Sequence, residues 1–375
     1  MLLQIISLCY QLELEMMQSY FGKALSSPEA AAFCRKTQIR HQIAPIMTSR
    51  SFSNQKDPPS QNYTKLSSTK SITIPNSQDP RVQISPLGNG ITHVLLSRPS
   101  KLNSLDLPMF ESIASAASTI RNDKDCRVVI MSGEGRAFCT GLDAKSVAFE
   151  GRALERLLDR PSGYSGGDGG KEGIGNLAQD VGYLWSLCFG CRLSGNCQFL
   201  SLQYCMGCAL VETLHNVRKT NGTGMQIALG ADFRFSTPDC KLSIMEARWG
   251  LIPDMSASIT LRELVRSDVA KELTMTGRII SGEDGQKLGL VTRCVEDPME
   301  EALKVAKEIV ERSPDSVAAA KELFNSTWVA DDETCLKKET DLQLRLIKTY
   351  NQIAASGRQF GVSLPYFRRQ DWDAR

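Results

Sequence analysis

From Val82 onward, short apolar runs and helical periodicities alternate along the chain. VQIS and GITHVLLS, separated by the turn-like PLGN, predict a hairpin of two strands. Met109, Ile113, Ala117 and Ile120 recur at helical spacing and predict a helix over Leu107–Arg121. CRVVIMSG then reads as a strand buried on both faces, which makes a β-β-α-β start. Further on, ADFRFSTP predicts a strand and IPDMSASITLRELV a helix opening at Asp254, with that aspartate as its N-cap. From Met299 to Tyr350 the pattern is helical: MEEALKVAKEIVERS, DSVAAAKELFNSTW after a Ser-Pro start, and a long amphipathic run through LQLRLIKTY. Strands alternating with helices predict an α/β fold with a largely parallel sheet and a C-terminal helical region.

Before Val82 the pattern fades. Residues 1–80 are expected to be a disordered extension and linker, ahead of a core over 81–295 and helices over 296–375. From Gln18 to Gln55 the only acid is Glu29, while Lys23, Arg35, Lys36, Arg40 and Arg50 interleave with serines. That is the composition of an organellar transit peptide, and RSFS at Arg50–Ser53 resembles a mitochondrial processing site. A mitochondrial location is therefore expected, with cytoplasm or peroxisome as the alternatives. The chain of 375 residues carries a net charge of +2, so no strong field directs it to nucleic acid or an anionic membrane. No run of about 18 apolar residues is present to span a bilayer.

Four stretches, in order, resemble the crotonase superfamily, the enoyl-CoA hydratase/isomerase family: SRPSKLNSL; RAFCTGLD at Arg136–Asp143; Met225–Asp254; and Lys271–Val295. The resemblance implies a spiral of β-β-α units followed by C-terminal helices that often build trimers, so a homotrimer or hexamer is expected. It also implies an acyl-CoA thioester as substrate, with coenzyme A part of that substrate and no separate cofactor or metal. Members stabilise a thioester enolate with two backbone N–H groups, donors aimed where negative charge develops. On this chain those positions are Leu142, after the glycine of FCTG, and Thr223 in NGTGMQ, where the family carries a glycine triplet. Lys101, Leu102, Ser104, Ala137, Gly141, Asp143 and Gln226 fall at substrate-binding positions of the pattern.

Hydratases of the family place water with two glutamates, at the positions of Gln226 and Glu246. A glutamine takes no proton at neutral pH, which disfavours full hydratase chemistry. Glu246 is retained in IMEARWG, and Asp254, eight residues on, stands where the dienoyl-CoA isomerases of the family carry a catalytic aspartate. The resemblance therefore implies an isomerase moving double bonds in unsaturated acyl-CoA, with Glu246 and Asp254 exchanging protons. An enoyl-CoA hydratase, or a catalytically inactive acyl-CoA-binding or structural protein, is the alternative. Trp249 reads as pocket wall or core, and His93 as a packed or surface histidine.

The segment 186–224 breaks the pattern. Five of the twelve cysteines fall in it, and CFGC and CMGC give C-x2-C, thirteen residues, C-x2-C, close to a zinc spacing. The stronger expectation is an altered stretch, such as an alternative exon, in which a core strand is missing.

Overall fold

Asn89 and Gly90, both at positive φ (52° and 79°), join two strands through a two-residue turn of the kind that suits the right-handed strand twist. These strands are β2 (Val82–Gly88) and β3 (Ile91–Leu96), an antiparallel pair with a bulge between Pro86 and Gly88. The computed structural model of the chain describes residues 72–73, 81–123, 125–149, 157–158, 177–179, 181, 209–214, 220–221 and 223–369. The chain divides into Met1–Leu66 and Ser67–Arg375, and every described residue belongs to the second unit.

The hairpin starts a seven-stranded sheet. β1 (Ile72–Thr73) pairs antiparallel with β2, so the sheet begins ten residues before the expected start at Val82; the free edge of β2 offers backbone groups for an upstream segment to pair with. Helix α1 (Leu107–Asn122) follows, capped by Asp106, whose carboxylate accepts from Met109 N at 3.0 Å. It feeds β4 (Val128–Gly133), which is parallel to β3.

The next strand is β5 (Ala209–Leu214), parallel to β4 on one side and to β7 (Phe233–Ser236) on the other. This corrects the expectation of a missing core strand: ALVETL, within 186–224, occupies that place. β10 (Arg293–Cys294) closes the row, whose spatial order is β1-β2-β3-β4-β5-β7-β10. A smaller sheet holds β6 (Thr220–Asn221), β8 (Lys241–Ser243) and β9 (Ile280–Ser281) in the order β6-β8-β9. The cysteines of the zinc-like spacing lie outside the described residues.

Both faces of the main sheet are covered. On one, Phe110, Ile113 and Ala117 of α1 pack with Val94, Leu96, Val129 and Met131. On the other, Ala302, Val305 and Ala306 of helix α7 (Pro298–Val310) cover Ile91, Val128, Ile130 and Phe235. Burial on both sides explains why β4 reads as a continuous apolar run rather than an alternating one.

Helix α2 (Ala144–Phe149) precedes β5, and α3 (Thr223–Leu229), α4 (Ala257–Leu264), α5 (Ser267–Thr276) and α6 (Gly282–Lys287) lie between β5 and α7. After α7 come α8 (Pro314–Thr327), α9 (Asp332–Leu346) and α10 (Tyr350–Gln359). Their starts are written in the sequence: Asp297, Ser313, Asp331 and Thr349 each accept a hydrogen bond from a backbone N–H of the first turn. The run expected to continue to Tyr350 stops at Leu346, Lys348 turns the chain at φ 67°, and a separate helix starts at Tyr350. Arg127 ties this region to the sheet, donating to Val310 O at 2.8 Å and Arg312 O at 2.6 Å.

Phe235 is fully buried between the sheet and α7. Phe235→Ala is expected to cost about 3–5 kcal/mol of stability, seen as a lower urea midpoint with an unchanged slope.

Candidate active site

The segment Arg98–Asp106 is zipped to Gly133–Asp143 by its own backbone. Leu105 N donates to Gly141 O at 2.8 Å, Asp143 N to Leu105 O at 2.9 Å, and Thr140 N to Leu102 O at 3.2 Å. Asn103 stands at the centre, fully buried at φ 54°, a backbone conformation asparagine tolerates better than most residues. Its Nδ2 donates to Ala137 O and Glu134 O at 2.7 and 2.9 Å, and its Oδ1 accepts from Arg98 N at 2.7 Å. Arg98 extends the zip with side-chain ion pairs to Asp106 (3.2 Å) and Asp143 (3.0 Å) and a hydrogen bond to Ser104 O. Hydrogen bonds from Ser146 and the charge of Arg98 outweigh desolvation at Asp143 and hold its carboxyl below the usual range.

This frame sets the Leu142 amide. Gly141 turns the chain at φ 98°, where a side chain would be strained. Leu142 itself pairs with Leu105 as an isolated parallel bridge, and its N–H donates to no acceptor among the described residues. Thr223 opens α3, so its N–H belongs to the first turn, which has no partner within the helix. The two places are joined by Gly224: a Cβ there would stand 2.5 Å from Cys139 O and 2.7 Å from Cys139 Cβ. Helix α3 therefore starts against the backbone of the FCTG turn, with Thr223 next to the contact on one side and Leu142 three residues beyond Cys139 on the other.

The carboxylates are held from the same helix. Gln226 is 0% exposed; its Nε2 donates to Glu246 Oε1 at 2.8 Å and its Oε1 accepts from Met255 N at 2.8 Å. Glu246 opens a 3-10 turn (Glu246–Trp249), is 7% exposed, and its Oε2 is buried with no hydrogen-bond partner among the described residues. Burial raises its pKa; its own backbone and Gln226 oppose that, and the charge of Asp254 adds to it. Asp254 is exposed as a residue, yet desolvation of its carboxyl also pushes its pKa upward.

The expected N-cap role of Asp254 is corrected. Helix α4 begins at Ala257 with Ser256 before it, at φ 68° and with its hydroxyl on Gln179 O at 2.9 Å, because Met255 N is drawn to Gln226 instead of into a helical turn. The carboxyl of Asp254 is thereby left outside the helix.

Of the other expected positions, Ala137 is buried with its carbonyl on Asn103, Leu102 and Ser104 are half-buried in the zip, and Lys101 is exposed at the end of the 3-10 turn Pro99–Lys101. Trp249 is 72% exposed and so is not core. His93 Nε2 lies 2.8 Å from Ser132 Oγ, and burial pulls its pKa down to about 4. Arg98 and Asn103, which hold the Leu142 turn, were not singled out from the sequence; Asn in a Pro/Ser-rich turn was the available signal.

Two family models of the same description, enoyl-CoA hydratase/isomerase, match residues 91–159 and 217–360, together more than half of the chain. Carnitinyl-CoA dehydratase of Salmonella typhimurium (strain LT2) is 29% identical over 240 residues, covering 63% of this chain and 77% of that protein. The protein of the same name from Salmonella typhi matches at the same identity and coverage, 29% over 240 residues. Among solved structures, an enoyl-CoA hydratase from Bacillus anthracis superposes with a TM-score of 0.62 at 22% identity, over 77% of this chain and 100% of that one. Human enoyl Coenzyme A hydratase domain-containing protein 3 gives 0.60 at 19% identity, over 76% and 100%. These likenesses show the expected crotonase-like α/β fold with its C-terminal helical region.

Gly224→Ala forces a methyl group into the Cys139 backbone and is expected to cost about 1–3 kcal/mol, read by urea unfolding. Glu246 gives a signed pH prediction. A carboxyl whose pKa is higher folded than unfolded lowers native stability as pH rises from the ordinary glutamate range through the raised value, and the whole penalty stands at neutral pH. Glu246→Gln removes the ionisation and keeps an acceptor for Gln226. It is expected to melt higher than the parent at about pH 7 and to lose that advantage near about pH 4, by scanning calorimetry.

Proposed function

The chain belongs to the enoyl-CoA hydratase/isomerase family, and from that premise we propose that it moves a double bond along the acyl chain of an unsaturated acyl-CoA through a thioester enolate. The observation that carries this reading is Glu246: a buried carboxylate with one oxygen tied to Gln226, the other unpaired, and the charge of Asp254 within reach.

In this reading Glu246 Oε2 removes a proton from one carbon of the acyl chain. The electron pair left behind moves through the conjugated system onto the thioester oxygen, which the Leu142 and Thr223 amides receive. Each such donor is worth about 3 kcal/mol of barrier. The enolate collapses as Asp254 delivers a proton to a different carbon, so the double bond shifts with no net oxidation and no water consumed. Desolvation raises the pKa of both carboxyls, the direction that suits groups exchanging protons with a substrate.

Water addition or loss by Glu246 alone is the second reading, favoured by the relatives named carnitinyl-CoA dehydratase. Gln226 argues against it, because an amide cannot take the proton that a second carboxylate would take. As further parts of the proposal, the protein works in mitochondria as a homotrimer or hexamer. The exposed Phe324, Trp328 and Leu336 of α8 and α9 support self-association.

Purified protein incubated with dienoyl-CoA and enoyl-CoA panels, beside a CoA-binding measurement, separates the readings. Isomerised product is expected, and Glu246→Gln is expected to abolish it while the fold is retained. Hydrated product would favour the second reading. Binding without turnover on any substrate would overturn both in favour of an inactive acyl-CoA-binding protein.

A further inference from the structure

Gln226 sits at the centre of α3, and both ends of its amide are engaged. Donating to a carboxylate while accepting from a backbone N–H requires a side chain with both functions; a carboxylate lacks the donor and a lysine lacks the acceptor. Because the donated bond takes Glu246 Oε1, only the buried, unpaired Oε2 is left for chemistry. Because the accepted bond takes Met255 N, the loop that carries Asp254 is fastened one residue from that aspartate. One neutral amide thus fixes both carboxyl-bearing segments to the helix whose first N–H is Thr223.

We infer that Gln226 is a positioning residue that assigns proton transfer to Glu246 Oε2 and keeps the Asp254 loop in register with it, a role that rests on the proton-transfer reading of Glu246. A glutamate in its place would face Glu246 carboxyl to carboxyl at hydrogen-bond distance. Such a pair shares one proton and titrates as a unit, so neither oxygen of Glu246 would be reserved. The amide keeps the two carboxyls that do the work, Glu246 and Asp254, chemically distinct.

The test uses the full chain. The charge of Asp254 on the following loop reaches Glu246; Arg248 lies on the same turn, and Asp268, Lys271, Glu272 and Arg278 lie on and just after α5, the helix packed against that turn. All stay in place in Gln226→Met, which keeps volume and removes both bonds, and in Gln226→Glu, which keeps shape. The titration of Glu246 is followed by carbon-13 carboxyl NMR on ligand-free protein, with Glu246→Gln assigning the signal. Exchange of the α-proton of a saturated acyl-CoA in D2O is followed on the same samples.

Removing a donor from the charged carboxylate is expected to move the Glu246 titration upward in Gln226→Met. Exchange is expected to fall about tenfold or more in kcat, with KM changing less than about twofold. Gln226→Glu is expected to titrate in two coupled steps. An unmoved Glu246 titration in folded Gln226→Met overturns the inference. If that variant does not fold, a single unshifted step in Gln226→Glu overturns it instead. A parent that exchanges no α-proton, beside a moved titration, sinks the isomerase reading and leaves the clamp standing.

Discussion

The contact between Gly224 and Cys139 leaves no room for a side chain, and the rest of the site is arranged around it. Two backbones can approach this closely only if one residue has no Cβ, so a single glycine decides how far α3 lies from the FCTG turn. Everything downstream depends on that spacing. The Leu142 amide is fixed on one side by the Leu105 bridge and the Arg98–Asp143 pair, and the Thr223 amide on the other by the start of α3. Neither donor relies on its own side chain. In the proposed reading, position 223 needs only an N–H in a first helical turn, so a threonine can stand where the family pattern has glycine.

The same helix carries the second constraint. Three residues beyond Thr223, Gln226 reaches Glu246 and Met255, so the places where negative charge would gather and where protons would move are spaced by less than one helical turn. Burying Glu246 with an unpaired oxygen is unfavourable for the fold, since a buried acceptor without a partner costs about 1–3 kcal/mol. Structures keep such an arrangement where the group has work to do, and stability is the recurrent cost of a site poised in this way. The contrast with Asp143 is instructive. It is a carboxylate in the same neighbourhood with Arg98 and Ser146 on its oxygens, and its pKa moves down rather than up. Asp143 is paired and holds structure; Glu246 is half-paired, which is what the proposed proton transfer requires of it.

Most of the scaffold was legible because its signals are local. The hairpin, α1, β4 and the capped C-terminal helices announce themselves through turn residues, helical spacing and Pro or Asp at helix starts, and Glu246, Leu142 and Thr223 could be located by motif order. β5 was not legible. ALVETL is a six-residue stretch whose apolar residues are interrupted by Glu212 and Thr213, and a strand between two parallel partners is specified by them rather than by its own pattern. The helix over Tyr350–Gln359 was not read from the sequence, and the run before it stops at Leu346, four residues short of its expected end, where Lys348 turns the chain at positive φ. Arg98 and Asn103 escaped notice because the bonds that tie them to the Leu142 turn go to Glu134, Ala137 and Asp143, more than thirty residues away.

Asp254 shows how tertiary contacts override a sound local rule. An aspartate ahead of MSASITLREL is a good N-cap, and forgoing it loses about 1 kcal/mol. Holding Ser256 in the left-handed region costs roughly another 1–2 kcal/mol. Against this, the Gln226–Met255 and Ser256–Gln179 hydrogen bonds each contribute about 1 kcal/mol, enough to make the later helix start competitive. The consequence is chemical. A capping carboxylate has its oxygens occupied by amide N–H groups, which lowers its pKa and removes it from proton transfer. By starting α4 at Ala257 the fold keeps Asp254 out of that role, with a carboxyl that desolvation shifts upward and whose charge reaches Glu246. The Gln226 amide, which withdraws Met255 N from the helix, is therefore the element that turns a capping residue into a candidate acid.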